Sequence, residues 1–305
     1  MKPKTALIYG AKGQDGYYLR NLLIEKGYHV IGLARSNNGA EGDISQRALV
    51  ERQIRTYQPE EIYHLAANST TRHDAAFDNH AAICTGTLNL LEAVRVFSPG
   101  SKVFLCGSAI QFENRGVPIH ESHPFVANNY YAVARIHSTH TARYYRSMGI
   151  KVYVGYLFHH ESPMRHERHL SQKIAMSAAR LSQGCRERLV LGSLDVVKEW
   201  GFAGDIMEGA IHLLSQDKVY EAVIGTGEGY GVRDWVSQCF QFFDLDWRQY
   251  VDLIPDFTPE YSYMVSAPST MLQIGWRHKT TFEELSRTIC LHALERLAIT
   301  SENHG

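Results

Sequence analysis

The chain has 305 residues, 44% of them hydrophobic, enough to bury one large domain or two unequal ones. Its 31 Lys and Arg against 32 Asp and Glu leave a net charge of −1, which gives no bulk attraction to nucleic acid or an anionic membrane; any phosphate recognition must be local. Five cysteines without C-x-x-C spacing, 16 histidines without an H-E-x-x-H pattern and no run near roughly 18 apolar residues argue against a disulfide scaffold, a metal site and a membrane span, so a cytoplasmic protein is expected.

In chain order, Ala6-Leu7-Ile8-Tyr9 reads as a buried strand, followed by a glycine-rich turn and a helix through residues 18–24 that stops at Gly27. The turn is Gly10-Ala11-Lys12-Gly13-Gln14-Asp15-Gly16. A G-x-x-G-x-x-G string between a strand and a helix is the context that a dinucleotide site requires. Gly10 permits the tight turn, Gly13 lets backbone N–H groups approach a pyrophosphate, and Gly16 allows close helix–sheet packing. The helix N-terminus adds partial positive charge. Residues 29–34 read as the second strand, and its end carries Arg35-Ser36-Asn37-Asn38 rather than the acid that holds the ribose 2′-hydroxyl in NAD sites. Arg35 can fork onto a 2′-phosphate and Ser36 can add a hydrogen bond, which favours NADP(H).

Residues 45–58 read as a helix, 61–65 as a strand, 87–94 as an amphipathic helix, and 102–106 and 152–156 as strands. Short apolar strands alternating with helices imply a parallel sheet covered on both faces. Past the 102–106 strand lies Gly107-Ser108-Ala109-Ile110-Gln111, with Tyr131-Ala132-Val133-Ala134-Arg135 downstream. On a helix, positions i and i+4 share a face, so Tyr131 and Arg135 project together. A fixed cation stabilises the phenolate through which a proton-transferring tyrosine passes, and the Ser108 hydroxyl can bond the same substrate oxygen. Such Tyr–Arg pairs are also common on exposed helices; the surrounding dinucleotide fold turns the reading toward catalysis.

Beyond about Pro163 the pattern loosens into charged helices, short strands and loops without repeats. Arg165-His166-Glu167-Arg168-His169 matches no metal-ligand spacing and reads as a polar loop. The segment from Thr281 has an N-cap, early acids and apolar helical spacing, and is structural. The expected architecture is α/β: a doubly wound parallel sheet of the Rossmann type from residues 1–164 with 200–232, and a smaller α+β substrate domain from 165–199 with 233–305.

Further stretches carry a likeness to known proteins: Gly13-Gln14-Asp15-Gly16, Leu157-Phe158-His159-His160-Glu161-Ser162-Pro163, Leu191-Gly192-Ser193-Leu194-Asp195, Glu199-Trp200-Gly201, Gly225-Thr226-Gly227-Glu228 with Val232-Arg233, and Gly275-Trp276. With them the chain resembles, over nearly its full length, the extended short-chain dehydrogenases/reductases, and within these the GDP-mannose 4,6-dehydratase branch of the epimerase/dehydratase family. The resemblance implies hydride and proton transfer at C4 of a nucleotide-linked sugar, GDP-linked by preference. It maps Tyr131 to the acid/base, Ser108 to the hydroxyl partner and Arg135 to the position of a lysine. It implies further cofactor contacts from Gln14, Asp15, Asp43, Ile44, Leu65, Ala66 and Ala67, and from Tyr131 and Arg135 beside their catalytic roles. Substrate contacts are implied at His159, Lys173, Lys198, Arg233 and Glu260, and a homodimer or homotetramer through the helices around residues 88–94 and 132–145.

Departures from the family bear on the reaction. Arg135 keeps the lysine's charge but holds its proton too tightly to relay it. Ile110 stands where the dehydratase signature has a glutamate. Eliminating water across C5 and C6 needs a group that removes the C5 proton and delivers one to the leaving hydroxyl, work commonly amounting to about 10²–10⁴-fold in rate. Glu113, His159 and His160 are candidates to replace it, and spacing does not choose among them. His159 stands for an asparagine, and Phe257 for an arginine, in the implied nucleotide-sugar pocket. A chain that keeps the C4 residues without the elimination residue is expected to be an NADP(H)-dependent 4-keto-sugar-nucleotide reductase. A GDP-mannose 4,6-dehydratase and a non-catalytic NADP- or nucleotide-sugar-binding subunit are the alternatives.

Overall fold

The computed structural model describes residues 3–35 and 42–302, with side chains through 299. The first half alternates strand and helix: β1 (Thr5–Tyr9), α1 (Gln14–Glu25), β2 (His29–Leu33), α2 (Arg47–Tyr57), β3 (Glu61–His64), α3 (Ala76–Asn79), α4 (Gly86–Phe97), β4 (Lys102–Ser108), α5 (Tyr130–Ser147) and β5 (Lys151–Leu157). Then follow β6 (His160–Glu161), α6 (Leu170–Ser182), β7 (Leu189–Leu191), β8 (Val197–Lys198), β9 (Gly201–Phe202) and α7 (Ala203–Leu214). The chain ends through β10 (Glu221–Ile224), β11 (Tyr230–Gly231), α8 (Val232–Phe242), β12 (Val251–Leu253), β13 (Tyr263–Met264), α9 (Ser269–Gln273) and α10 (Phe282–Glu302).

Six strands form one parallel sheet in the order β10-β5-β4-β3-β1-β2. Parallel neighbours require crossovers, and the helices supplying them cover both faces. Successive side chains of each strand therefore serve different cores. Leu7, Tyr9, Ile62, Val103, Leu105, Val152 and Val154 pack with residues of α2, α4 and α5 on one face. Ala6, Ile8, Tyr63, Phe104 and Tyr153 pack with residues of α1 and α7 on the other. Chain order reverses between β1 and β3, which opens a crevice at their carboxyl ends.

A third core joins α6, α8, α10 and β7 through Ile174, Ala178, Leu189, Trp235, Phe240 and Ile289, with Trp200 stacked on Trp235 at 4.4 Å. Thr281 and Glu284 start α10 with a reciprocal cap: the Thr281 N–H donates to Glu284 Oε2 at 2.9 Å and the Glu284 N–H to Thr281 Oγ1 at 3.2 Å. The helix expected over 87–94 is longer than its apolar stripe. It continues without a break from α3 through a π-helical turn, His80–Thr85, into α4. No helix among the described residues is long and apolar enough to cross a membrane.

Candidate active site

The carboxyl ends of β1, β3, β4 and β5 open into a cleft of about 1160 Å³. Its floor begins at the turn after β1. Gly10 sits at φ +89°, and a Cβ there would lie 2.8 Å from the Ala66 backbone nitrogen, so only glycine lets the β1 turn pass this close to the segment after β3. A Cβ on Gly16 would meet the Gly10 carbonyl oxygen at 2.5 Å and Ala11 Cα at 2.6 Å, which seats α1 directly on the turn. Gly13 differs: its nearest neighbour would be 3.4 Å away, an ordinary contact. It caps α1 with no side-chain hydrogen bond, leaving the N–H groups of the first turn for an anion. Bare amides and an open Gly13 fit a dinucleotide pyrophosphate.

Tyr131 and Arg135 lie one turn apart on α5, whose start Asn129 caps by accepting from the Ala132 N–H at 2.9 Å. The buried guanidinium of Arg135 donates Nη1 to the Cys106 carbonyl at 2.7 Å and Nη2 to the Tyr131 hydroxyl at 3.0 Å. Burial opposes its charge, but the Tyr131 and Cys106 atoms outweigh this and raise its pKa above the ordinary value, so it stays a cation. Ser108 ends β4, and its backbone N–H donates to Gln111 Oε1 at 2.9 Å, fixing the chain as it leaves the sheet. Ser108, Ile110, Tyr131 and Arg135 all line the cleft.

The opposite wall is the H-E-S-P stretch, and its role toward α1 is mechanical. His160 Nδ1 donates to the Phe158 carbonyl at 2.7 Å and Nε2 pairs with Asp15 Oδ1 at 2.9 Å. Two donated bonds suit an imidazolium. Burial works against that charge, yet the Asp15 carboxylate and these bonds raise the His160 pKa. Burial likewise pushes the Asp15 carboxyl up, but His160, Gln14 and Arg165 together hold it down at about 2. Ser162 Oγ donates to Gln14 Oε1 at 2.8 Å. Glu161 accepts from Ser171 Oγ at 2.7 Å and pairs with Arg165 at 3.3 Å. His159, in contrast, bonds Tyr261 through Nε2 at 2.8 Å and leaves Nδ1 without a partner. Burial first, then the charges of Lys198, His160 and Arg165, hold its pKa well below the ordinary histidine value.

Of the residues expected from sequence, Gly10, Gly13, Gln14, Asp15, Gly16, Leu65, Ala67, Ser108, Tyr131, Arg135, His159 and Lys198 line the cleft together. Lys198 is buried with its ammonium 4.3 Å from the Trp200 ring centroid. Ala66 lies under the Gly10 turn. Asp43 and Ile44 stand outside the lining: Asp43 accepts from the Ser45 N–H at 3.0 Å, and buried Ile44 gives its carbonyl to Asn89 at 3.1 Å. Arg35 is exposed just past β2, and Ser36 lies outside the described residues. Lys173 and Arg233 are engaged elsewhere, with the Val190 carbonyl at 2.6 Å and with Asp195 at 2.8 Å. Glu260 is exposed, tethered to Asn129 at 3.1 Å and Thr71 at 3.4 Å. Phe257 is half exposed and packs over Gly192.

The structure also brings in residues that sequence reasoning did not assign. Asn68, Ser69, Thr70, Thr71 and Arg72 line the cleft after β3, and Arg165 and Arg168 add positive charge to it beside His169, which burial and then Arg165 keep neutral with a pKa of about 4. The polar loop of residues 165–169 was the available signal for the second group; small polar residues in a loop carry none for the first. Glu199 of the matched E-W-G stretch is structural. It is buried, and accepts from the Thr226 N–H at 2.7 Å, the Gly227 N–H at 3.1 Å, the Ser266 N–H at 2.6 Å and the Ser266 hydroxyl.

Comparison with known proteins accords with this arrangement. The family model described as GDP-mannose 4,6 dehydratase matches residues 7–289. "GDP-mannose 4,6 dehydratase 1" of Arabidopsis thaliana is 30% identical, covering 97% of this chain and 91% of its own length. Two solved structures share the fold. UDP-glucose 4-epimerase of Thermus thermophilus, in complex with NAD, superposes with a TM-score of 0.81 at 22% identity over 95% of this chain and 98% of that one. RMD from Pseudomonas aeruginosa, complexed with NADPH, has a TM-score of 0.83 at 19% identity over 96% and 98%.

Proposed function

This chain belongs to the GDP-mannose 4,6-dehydratase family of enzymes, and from that premise we propose that it oxidises C4 of GDP-mannose with NADP(H) and completes a 4,6-dehydration. The observation that carries the C4 chemistry is the Tyr131 hydroxyl held at 3.0 Å by the buried cation of Arg135, on the same cleft as the uncapped N-terminus of α1. The bare first turn of α1 and the open Gly13 would hold the pyrophosphate of a nicotinamide dinucleotide. A cofactor held there would supply the hydride acceptor and donor that C4 chemistry needs.

On this reading Tyr131 Oη takes the C4 hydroxyl proton as a phenolate, whose negative charge Arg135 balances until the proton arrives, a direct contact that needs no proton relay. The Ser108 hydroxyl donates to the same sugar oxygen. Lys198, Arg165 and Arg168 supply the positive wall for the nucleotide diphosphate. Arg35, in place of an acid after β2, supports NADP over NAD. The extent of the family match favours dehydration over the 4-keto reduction expected from Ile110. The reductase remains the second reading because Ile110 itself lines the cleft.

Proton NMR of the protein with GDP-mannose and NADP tests the reading. The expected result is a growing 6-deoxy methyl doublet, slower with NAD, with Arg35→Ala narrowing the difference. An unchanged GDP-mannose spectrum refutes it; oxidation of NADPH by a 4-keto sugar nucleotide would then assign the reductase.

A further inference from the structure

We propose that His160 is a positioning residue of the cofactor turn: its imidazolium is the counter-charge that lets the first turn of α1, which carries the Asp15 carboxylate, accept the pyrophosphate of a nicotinamide dinucleotide. The inference rests on the dinucleotide reading of the cleft and names the residue that makes an acid tolerable there.

The turn holds a conflict that its glycines do not resolve. The bare N–H groups after Gly13 attract an anion. Asp15, the second residue of α1, lines the same cleft as Gly10, Gly13 and Gly16. A carboxylate suits a helix N-terminus as long as no other anion binds there. A pyrophosphate brings like charge to the same turn, and like charges close together disfavour each other. Uncompensated, Asp15 would act against the site that its own backbone helps to build.

The compensating charge arrives from 145 residues away. Strand β6 pairs with β9, His160 beside Gly201, and so carries the chain past α1. His160 and Ser162 reach Asp15 and Gln14, consecutive residues of α1, at 2.9 and 2.8 Å. Glu161 between them turns away, to Ser171 at 2.7 Å and Arg165 at 3.3 Å.

The bonding pattern sets the charge on the ring. His160 Nδ1 lies 2.7 Å from the Phe158 carbonyl and Nε2 lies 2.9 Å from Asp15 Oδ1. Burial opposes ionisation of Asp15, but His160, Gln14 and Arg165 keep it ionised. A carbonyl and an ionised carboxylate only accept, so both ring nitrogens donate and the ring is a cation. Neighbouring cations are directed elsewhere: Arg165 pairs with Glu161, and Arg135 bonds the Tyr131 hydroxyl and the Cys106 carbonyl. Gln14 Nε2 also donates to Asp15, at 3.2 Å, but an amide brings no charge.

This arrangement makes cofactor affinity a matter of charge balance within the pair, not of the imidazole ring as such. Removing the cation alone leaves the acid facing the pyrophosphate. Removing both members leaves the turn as neutral as it is in the native pair.

A charge-rescue cycle tests this, with NADP titrated calorimetrically into the wild type, His160→Gln, Asp15→Asn and the double variant, and a thermal melt of each. His160→Gln keeps a donor toward Asp15 without the charge, and we expect its Kd to rise about 10-fold or more. Asp15→Asn keeps an acceptor without the repulsion and should bind at least as tightly as the wild type. The double variant should regain near wild-type affinity even where its melting temperature stays low, which a packing role for His160 would not allow. A double variant as weak as His160→Gln overturns the inference and leaves the dinucleotide reading standing, as does wild-type affinity in His160→Gln. Should His160→Gln fail to fold, Asp15→Asn decides: affinity at or above the wild-type value upholds the inference, and weaker binding overturns it. No binding of NADP or NAD by the wild type overturns the dinucleotide reading, and the inference falls with it.

Discussion

Replacing Gly13 and Gly16 separately with alanine asks whether the glycine turn is shaped for the fold or for a ligand. At Gly16 the new Cβ would sit 2.5–2.8 Å from backbone atoms of Gly10 and Ala11. Backbone cannot swing aside as a side chain can, so α1 must lift from the turn. Overpacking of this kind costs about 1–3 kcal/mol, and alanine's better helix propensity returns about 1. Contacts this short against backbone put the cost at the upper end of that range, so a net loss of about 2 kcal/mol remains, a fall in Tm of several degrees at about 2–4 °C per kcal/mol for domains of about 150–250 residues. At Gly13 the nearest atom is 3.4 Å away and φ is −74°, so alanine meets no clash and costs only what a poorer N-cap does, about 1 kcal/mol. Its methyl would nonetheless occupy the space through which a pyrophosphate approaches the first turn of α1. Losing one hydrogen bond to a charged group is about 1.5–3 kcal/mol, or about 10- to 100-fold in Kd. Calorimetric titration of NADP into each variant, paired with thermal melts, reads both quantities. Wild-type NADP affinity in Gly13→Ala would refute the pyrophosphate assignment, and an unchanged Tm in Gly16→Ala would refute the packing argument.

Two further outcomes are expected. Tyr131→Phe should reduce C4 hydride transfer by about 10²–10⁴-fold, since it removes the hydroxyl that Arg135 holds; stopped-flow detection of reduced cofactor checks it, and undiminished transfer would remove Tyr131 from the chemistry. The second concerns acid stability. His64 donates Nε2–H to the Ala82 carbonyl at 3.1 Å, and burial, followed by the charge of Arg135, lowers its pKa from 6.5 to about 3. Below pH 6.5 the unfolded chain binds a proton that the folded chain refuses until about 3, so stability is full above 6.5 and falls as pH drops through that window. The slope is about 1.4 kcal/mol per pH unit for this one group. His159, also depressed, adds to the loss. The His160–Asp15 pair acts oppositely in this range: a raised histidine contributes below 6.5, and Asp15 loses its contribution only toward pH 2. Denaturant unfolding at pH 7 and 5 should show His64→Gln, which keeps a donor toward Ala82, losing less stability on acidification than wild type; equal losses would contradict the assignment.

Much of the fold was legible in the chain itself. Five of the six sheet strands and the dinucleotide turn could be read because their signals are local: apolar runs at Ala6-Leu7-Ile8-Tyr9 or Lys102-Val103-Phe104-Leu105-Cys106, and glycines at fixed offsets between strand and helix. The pairing of Tyr131 with Arg135 was legible for the same reason, since helical spacing alone puts positions four apart on one face. The function of the H-E-S-P stretch was not. Asp15 meets His160 and Gln14 meets Ser162 across nearly 150 residues, and nothing local encodes which wall a strand end will face. Glu199 was a family match until its four donors identified it as a structural tie. The choice among Glu113, His159 and His160 was open in sequence because all three have the right chemistry. The structure ties His160 to Asp15 from far along the chain and leaves Glu113 with its near neighbour Arg115, outside the cleft lining. The sequence by itself thus determined which chemistries this chain has to offer, because residue type and short spacing suffice for that. Which of them remain free to act was decided only when strands and loops distant in sequence converged on one cleft and used up each other's hydrogen bonds.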